Sequence, residues 1–162
     1  MIIFDTNILS MFAKIDRVDL LLKLSGEIII VPEIRRELSV PLEYGKNWAE
    51  KILNISKTVY PDEEEQRLFE EFLSETRRLG SGELQALAVC KIRDYIFCSF
   101  DRVALNFARR KGIKSMNLHD IFRELLRRGV LSIEDITGLL REIEAKDNVK
   151  FKNISRIFEV DT

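Results

Sequence analysis

Histidine occurs once in these 162 residues, at His119, and cysteine only twice, at Cys90 and Cys98. A structural zinc site takes four such donors, so these three argue against one. Two cysteines also fall short of a disulfide framework and point to a reduced, cytoplasmic setting. No apolar stretch reaches the roughly 20 residues that cross a bilayer, so no membrane association is expected. The opening residues lack a basic region, and Asp5 interrupts them, so they do not read as a secretory leader. Net charge is almost absent, because 26 basic and 27 acidic residues leave −1. A nucleic-acid partner therefore has to be argued from local patches rather than from the total. The GxxxxGK[ST] phosphate loop is missing, and Gly80-Ser81-Gly82 is only a fragment of a dinucleotide fingerprint. His119 has no nucleophile elbow to serve, so a Ser-His-Asp triad is not supported.

Hydrophobic residues make up 46% of the chain and charged residues 33%. That balance suits one globular domain spanning 1–162, large enough to bury a real core. Three prolines and seven glycines punctuate short alternating elements. Strands are expected at 1–4, 27–31, 55–59, 95–99 and 113–116. Helices are expected at 6–24 (one or two), 32–38, 42–53, 62–78, 81–93, 102–111, from Asn117, and from Ser132. Four or five strands separated by helices predict an α/β fold with a parallel sheet.

The most telling pattern is an acid at the end of a strand, and it occurs twice. Ile2-Ile3-Phe4 runs into Asp5, and Tyr95 to Phe100 runs into Asp101. In open α/β sheets the carboxyl edge is where ligands bind. Glu37 and Glu83 stand on helices expected beside the same edge. Each acid alone has an ordinary explanation. Asp5 and Asp101 fit N-caps, Glu83 favours the positive end of its helix, and Glu37 fits a solvated face. Together the four would repel one another unless a divalent cation neutralised them. Mg²⁺ or Mn²⁺ prefers such oxygen ligands, and it can acidify a water and clamp a phosphate. The chemistry this implies is phosphodiester hydrolysis.

In their order and spacing these segments resemble the PIN-domain family of metal-dependent ribonucleases. The similarity lies in Ile3-Phe4-Asp5-Thr6-Asn7, in Val31-Pro32-Glu33-Ile34-Arg35-Arg36-Glu37-Leu38, in Gly82-Glu83-Leu84-Gln85-Ala86-Leu87-Ala88 and in Ser99-Phe100-Asp101-Arg102-Val103-Ala104. It covers about residues 1–130. The resemblance implies a Rossmann-like three-layer α/β/α fold with a central parallel sheet. It implies Asp5, Glu37, Glu83 and Asp101 as the catalytic carboxylates, with Asp5, Asp101 and Glu83 as the metal ligands. Thr6, Asn7 and Ser99 would orient ligands or water. Many relatives carry Asp where this chain has Glu83, whose longer side chain would shift the metal or its water. Many are VapC-like toxins that pair with an antitoxin protein and form homodimers, and others process RNA. The helical extension 131–162, including Ile154 to Phe158, would pack on the core or against a partner.

Basic residues gather after the fourth acid, at Arg102, Arg109, Arg110, Lys111 and Lys114. Arg102, next to Asp101, is the best placed to meet an RNA phosphate. Arg127 and Arg128 read instead as ordinary C-terminal partners of a helix. Two rival readings stand beside the nuclease. In one, the acids are only caps and the chain is a non-catalytic RNA- or protein-binding module. In the other, a carboxylate nucleophile serves a phosphohydrolase, although Asn7 breaks the Asp-x-Asp pair that would support it.

Overall fold

Short, fully apolar strands form the centre of the fold. The computed structural model describes residues 1–147, 149–151 and 158. Its strands are β1 (Ile2–Phe4), β2 (Ile28–Ile30), β3 (Ser56–Thr58), β4 (Ile96–Cys98) and β5 (Ser115–Met116). They form one all-parallel sheet in the order β3-β2-β1-β4-β5. Ile3 of β1 lies opposite Ile29 on one side and Phe97 on the other. Every residue of β1 and β2 is buried. A parallel sheet covered on both faces demands such continuous apolar runs rather than alternation.

Nine helices, among the described residues, flank this sheet and complete a three-layer α/β/α architecture. They are α1 (Thr6–Lys14), α2 (Val18–Ser25), α3 (Pro32–Glu43), α4 (Trp48–Ile55), α5 (Glu63–Glu75), α6 (Ser81–Arg93), α7 (Arg102–Arg110), α8 (Leu118–Arg127) and α9 (Ile133–Asp147). Their boundaries follow local chemistry. Asp62 and Glu65 close a reciprocal capping box on α5, and Asn117 and Asp120 close another on α8. A capping side chain of this kind contributes about 1 kcal/mol. Among the described residues no helix is long and apolar enough to cross a membrane.

Two expected boundaries are corrected. α3 does not end at Leu38 but runs through Pro41 to Glu43. Pro41 sits in its last turn, where the missing N–H costs little more than one bond. The next helix therefore begins at Trp48 rather than at 42, after Gly45 turns the chain at φ +76. The expected helix from Ser132 is α9, in which Ser132 and Asp135 exchange side-chain-to-backbone bonds of 2.9 and 3.1 Å. Residues 154–157 of the expected tail helix lie outside the described residues. Trp48 is part-buried against the core, with the Lys14 ammonium 5.4 Å from its ring centre. Cys90 and Cys98 are both buried, and burial pushes their thiols up in pKa.

The strand order carries the functional consequence. From β1 the chain moves to β2 and β3 on one side, then returns to place β4 on the other. The β1–β4 boundary is thus a topological switch point, where the connections diverge and leave a crevice. Asp5 follows β1 directly, and Asp101 lies three residues past β4.

Candidate functional site

One serine joins the two strand ends. Ser99 is fully buried. Its hydroxyl donates to Asp5 Oδ2 and accepts from the backbone N–H of Asp101 at 3.0 Å. Asp5 is 1% exposed and caps α1, its Oδ1 accepting from the N–H of Ile8 at 2.8 Å. Asp101 caps α7 in the same manner, accepting from Val103 N–H at 2.9 Å. Both aspartates are therefore caps; Asp5 lines the cleft between the elements, and Asp101 does not line it but is tied to Asp5 through Ser99. The ordinary and the functional readings describe different oxygens and neighbours of the same side chains.

The glutamates come in from the helices. Glu83 lies in the first turn of α6, where its Oε2 accepts from Gly80 N–H at 3.3 Å. The charge of Asp101 also bears on it. Glu37 projects from the middle of α3. Thr6 Oγ1 donates to its Oε2, and Gly82 N–H donates to its Oε1 at 3.2 Å. Asp5, Thr6, Asn7, Glu37, Gly80 and Glu83 line a small cleft of about 140 Å³. Thr6 and Ser99 thus hold carboxylates in place. Asn7 stands exposed on the cleft wall. Arg102 is exposed and turns away from the cleft, lining cavities on either side of the start of α7.

Two further residues shape the site without having been assigned a role from sequence. A β-carbon on Gly82 would fall 2.5 Å from Glu37 Oε1. Glycine there is what lets the Glu37 carboxylate rest against the first turn of α6. The available signal was a glycine inside a helix, which costs up to about 1 kcal/mol relative to alanine and needs a reason. Gln85 is the second. Its Oε1 accepts from Glu33 N–H at 2.8 Å and so caps α3, whose N-cap Val31 has no side chain for that task.

The electrostatics are unbalanced. Burial pushes the Asp5 carboxyl up to about 6, against the bonds from Ser99 and Ile8 that lower it, and Asp101 and Glu37 push the same way as burial. Burial likewise raises Glu83 to about 7, with the charges of Asp101 and Asp5 adding to it. Among the described residues no lysine or arginine pairs with any of the four acids. A donor set of carboxylates and hydroxyls suits a hard divalent cation such as Mg²⁺ or Mn²⁺, and not a soft one. Among the described residues no three acids, histidines or cysteines form a ready-made cage. An ion that keeps several of its waters does not require one.

A family model described as a PIN domain matches residues 1–153 of the chain. No curated protein and no solved structure matches it.

Proposed function

The chain belongs to the PIN-domain family, whose members are generally nucleases, and we propose that it is a metal-dependent endoribonuclease. The observation that carries this reading is Asp5: a carboxylate 1% exposed, at the switch point of the sheet, faced by other carboxylates and, among the described residues, by no cationic partner. Leaving such a charge unpaired is costly, so the arrangement calls for an external positive partner. Asp5, Asp101 and Glu83 would hold Mg²⁺ or Mn²⁺, with Glu37 completing the acidic ring. A divalent ion there supplies charge neutralisation for a phosphodiester and acidifies a water.

The chain's own groups do the rest. Ser99 fixes the Asp5 carboxylate through Oδ2 and fixes the Asp101 backbone, so that the two acids keep one spacing. Thr6 and Gly82 hold Glu37 by one oxygen each. Without an ion, burial and the charges of Asp101 and Asp5 raise Glu83 to about 7, so binding of the ion would displace a proton from it. In hydrolysis, water oxygen bonds to phosphorus while the P–O bond to the leaving ribose oxygen breaks. The proton lost by the water passes to a carboxylate of this group. The resemblance to toxins extends the proposal to an antitoxin protein partner and a homodimer, neither of which the cleavage chemistry needs.

The test is incubation of purified protein with mixed RNA in Mn²⁺, in Mg²⁺ and in EDTA, beside Asp5→Asn. Metal-dependent cleavage that disappears in the variant is the expected result. RNA binding without cleavage in any metal would favour the non-catalytic module instead.

A further inference from the structure

Next to the acidic cleft lies a larger cavity, of about 380 Å³, that none of the four acids lines. Phe100, Leu105 and Leu118 give it an apolar wall, while Arg102, Arg109 and Asn106 give it a polar one. Its connection to the cleft is covalent. Phe100, Asp101 and Arg102 are consecutive in the link from β4 to α7. The middle residue is tied to Asp5 through the Ser99 hydroxyl, and its two neighbours line the cavity. The ring of Phe100 is held by an edge-to-face contact with Phe151, at 5.8 Å between centres and 69° between planes.

The charge here contrasts with that of the arginines held in ion pairs elsewhere. Arg127 and Arg128 bind Glu124, and Arg93 binds Glu65. Arg102 and Arg109 are exposed and, among the described residues, have no acidic partner. Arg102 also lines a second cavity, of about 170 Å³, together with Arg78 and Arg110. A cationic strip therefore runs along α7, from Arg102 at its start to Arg109 and Arg110 in its last turn, beside an apolar pocket with an aromatic wall. In a chain of net charge −1 this is a local feature and not a reflection of the whole.

We propose that the 380 Å³ cavity is a subsite for one unstacked base of single-stranded RNA, with Arg102 and Arg109 taking the flanking phosphates. This inference rests on the nuclease reading of the adjoining cleft. An aromatic and apolar wall gains from a base only where the face of that base is bare, which a duplex does not offer. Guanidinium groups at the rim match the phosphates that a single strand carries past the pocket. The scissile phosphodiester would then lie on the Asp101 side of Arg102, next to the acids.

The experiment is fluorescence anisotropy of a labelled single-stranded oligouridine and of a labelled RNA duplex, in EDTA and at low salt. The proteins are wild type, Phe100→Leu, Arg109→Ala and, as a control outside the strip, Arg127→Ala, with thermal melting to verify folding. The single strand should bind more tightly than the duplex. Phe100→Leu and Arg109→Ala should each weaken it roughly tenfold, and Arg127→Ala should leave it unchanged. A parallel arm follows Mn²⁺-dependent hydrolysis of bis(p-nitrophenyl) phosphate, a diester without a base, by wild type and by Asp5→Asn. Unchanged affinity in folded Phe100→Leu and Arg109→Ala, or equal binding of the duplex, overturns the subsite whatever the diester arm gives. Weakened binding in the variants without any diester hydrolysis by wild type would instead overturn the nuclease reading and keep the cavity as an RNA-binding site.

Discussion

Two regions of this molecule bury a carboxylate, and they treat it in opposite ways. Glu65 on α5 is fully buried, and the Arg93 guanidinium meets it with two bonds of 2.8 and 3.0 Å. Its remaining capacity goes to Asp62 N–H at 3.0 Å. The bonds from Arg93 to the Glu65 carboxylate raise the pKa of the guanidinium further. Asp5 is as deeply buried, yet its neighbours are Asp101 and Glu37, and burial with their charges pushes its carboxyl up to about 6. One site contains its own counter-charge and is complete. The other has hydrogen-bond donors but, among the described residues, no counter-charge. A buried acid by itself therefore says little about function, and what surrounds it separates a structural pair from a site that awaits a cation.

The sharpest way to break this comparison is to neutralise each acid in turn. Asp5→Asn should lower metal-dependent RNA cleavage by on the order of 10³-fold, about 4 kcal/mol of activation free energy. It should leave the melting temperature of the metal-free protein unchanged or raised, because a repulsive buried charge is gone. Glu65→Gln should do the reverse. Its loss strands the Arg93 charge and should cost about 3 kcal/mol, lowering the melting temperature by roughly 10 °C. Cleavage measured well below that transition should persist. Melting curves and initial rates on the same two variants decide both.

Acidity sharpens the contrast further. Asp5 and Glu83 have folded-state pKa values of about 6 and about 7, above their ordinary 3.8 and 4.5. The folded, metal-free protein thus binds these protons more tightly than the unfolded chain does. Their contribution is complete below about pH 4 and is lost as pH rises through about 6 to 7. Counting Asp5 alone, since Glu83 is part-exposed and water screens it, the full loss is about 3 kcal/mol. Melting temperatures at pH 5 and pH 8 in EDTA should reveal it against Asp5→Asn, in which the slope should flatten. Mn²⁺ should restore stability at pH 8 more than at pH 5, because ligands must lose their protons to bind it.

Gly82→Ala should have the smallest effect. The new methyl group displaces the mobile end of Glu37, so stability should change by under about 1 kcal/mol. Cleavage should fall roughly tenfold, because a carboxylate of the site is moved. A similar fall in both stability and rate would mean that the glycine serves packing alone.

Much of the site was legible in the sequence, and the reason is physical. Parallel strands buried on both faces must be apolar throughout, so Ile2-Ile3-Phe4 and Ile96-Phe97-Cys98 stand out, and each leads to an acid at the carboxyl edge. Helix starts at Asp62, Asn117 and Ser132 follow from capping chemistry that lies within four residues. What was hidden depends on distant partners. Nothing in the run Asp62-Glu63-Glu64-Glu65 marks one acid for burial, and only Arg93, 28 positions on, explains why Glu65 turns inward. Gly82 becomes meaningful only once Glu37, 45 positions earlier, is laid across it. The expected end of α3 at Leu38 fell short, because sequence gives no way to see that its last turn tolerates Pro41.

The central claim is that the Asp5 cluster, unlike the Glu65 pair, takes its counter-charge from outside. Calorimetric titration of metal-free protein with Mn²⁺ near pH 6, in two buffers of different ionisation heat, tests it most directly. The account predicts saturable binding with release of protons, abolished by Asp5→Asn and retained by Glu65→Gln. Binding that survives Asp5→Asn, or no binding to wild type, would contradict it.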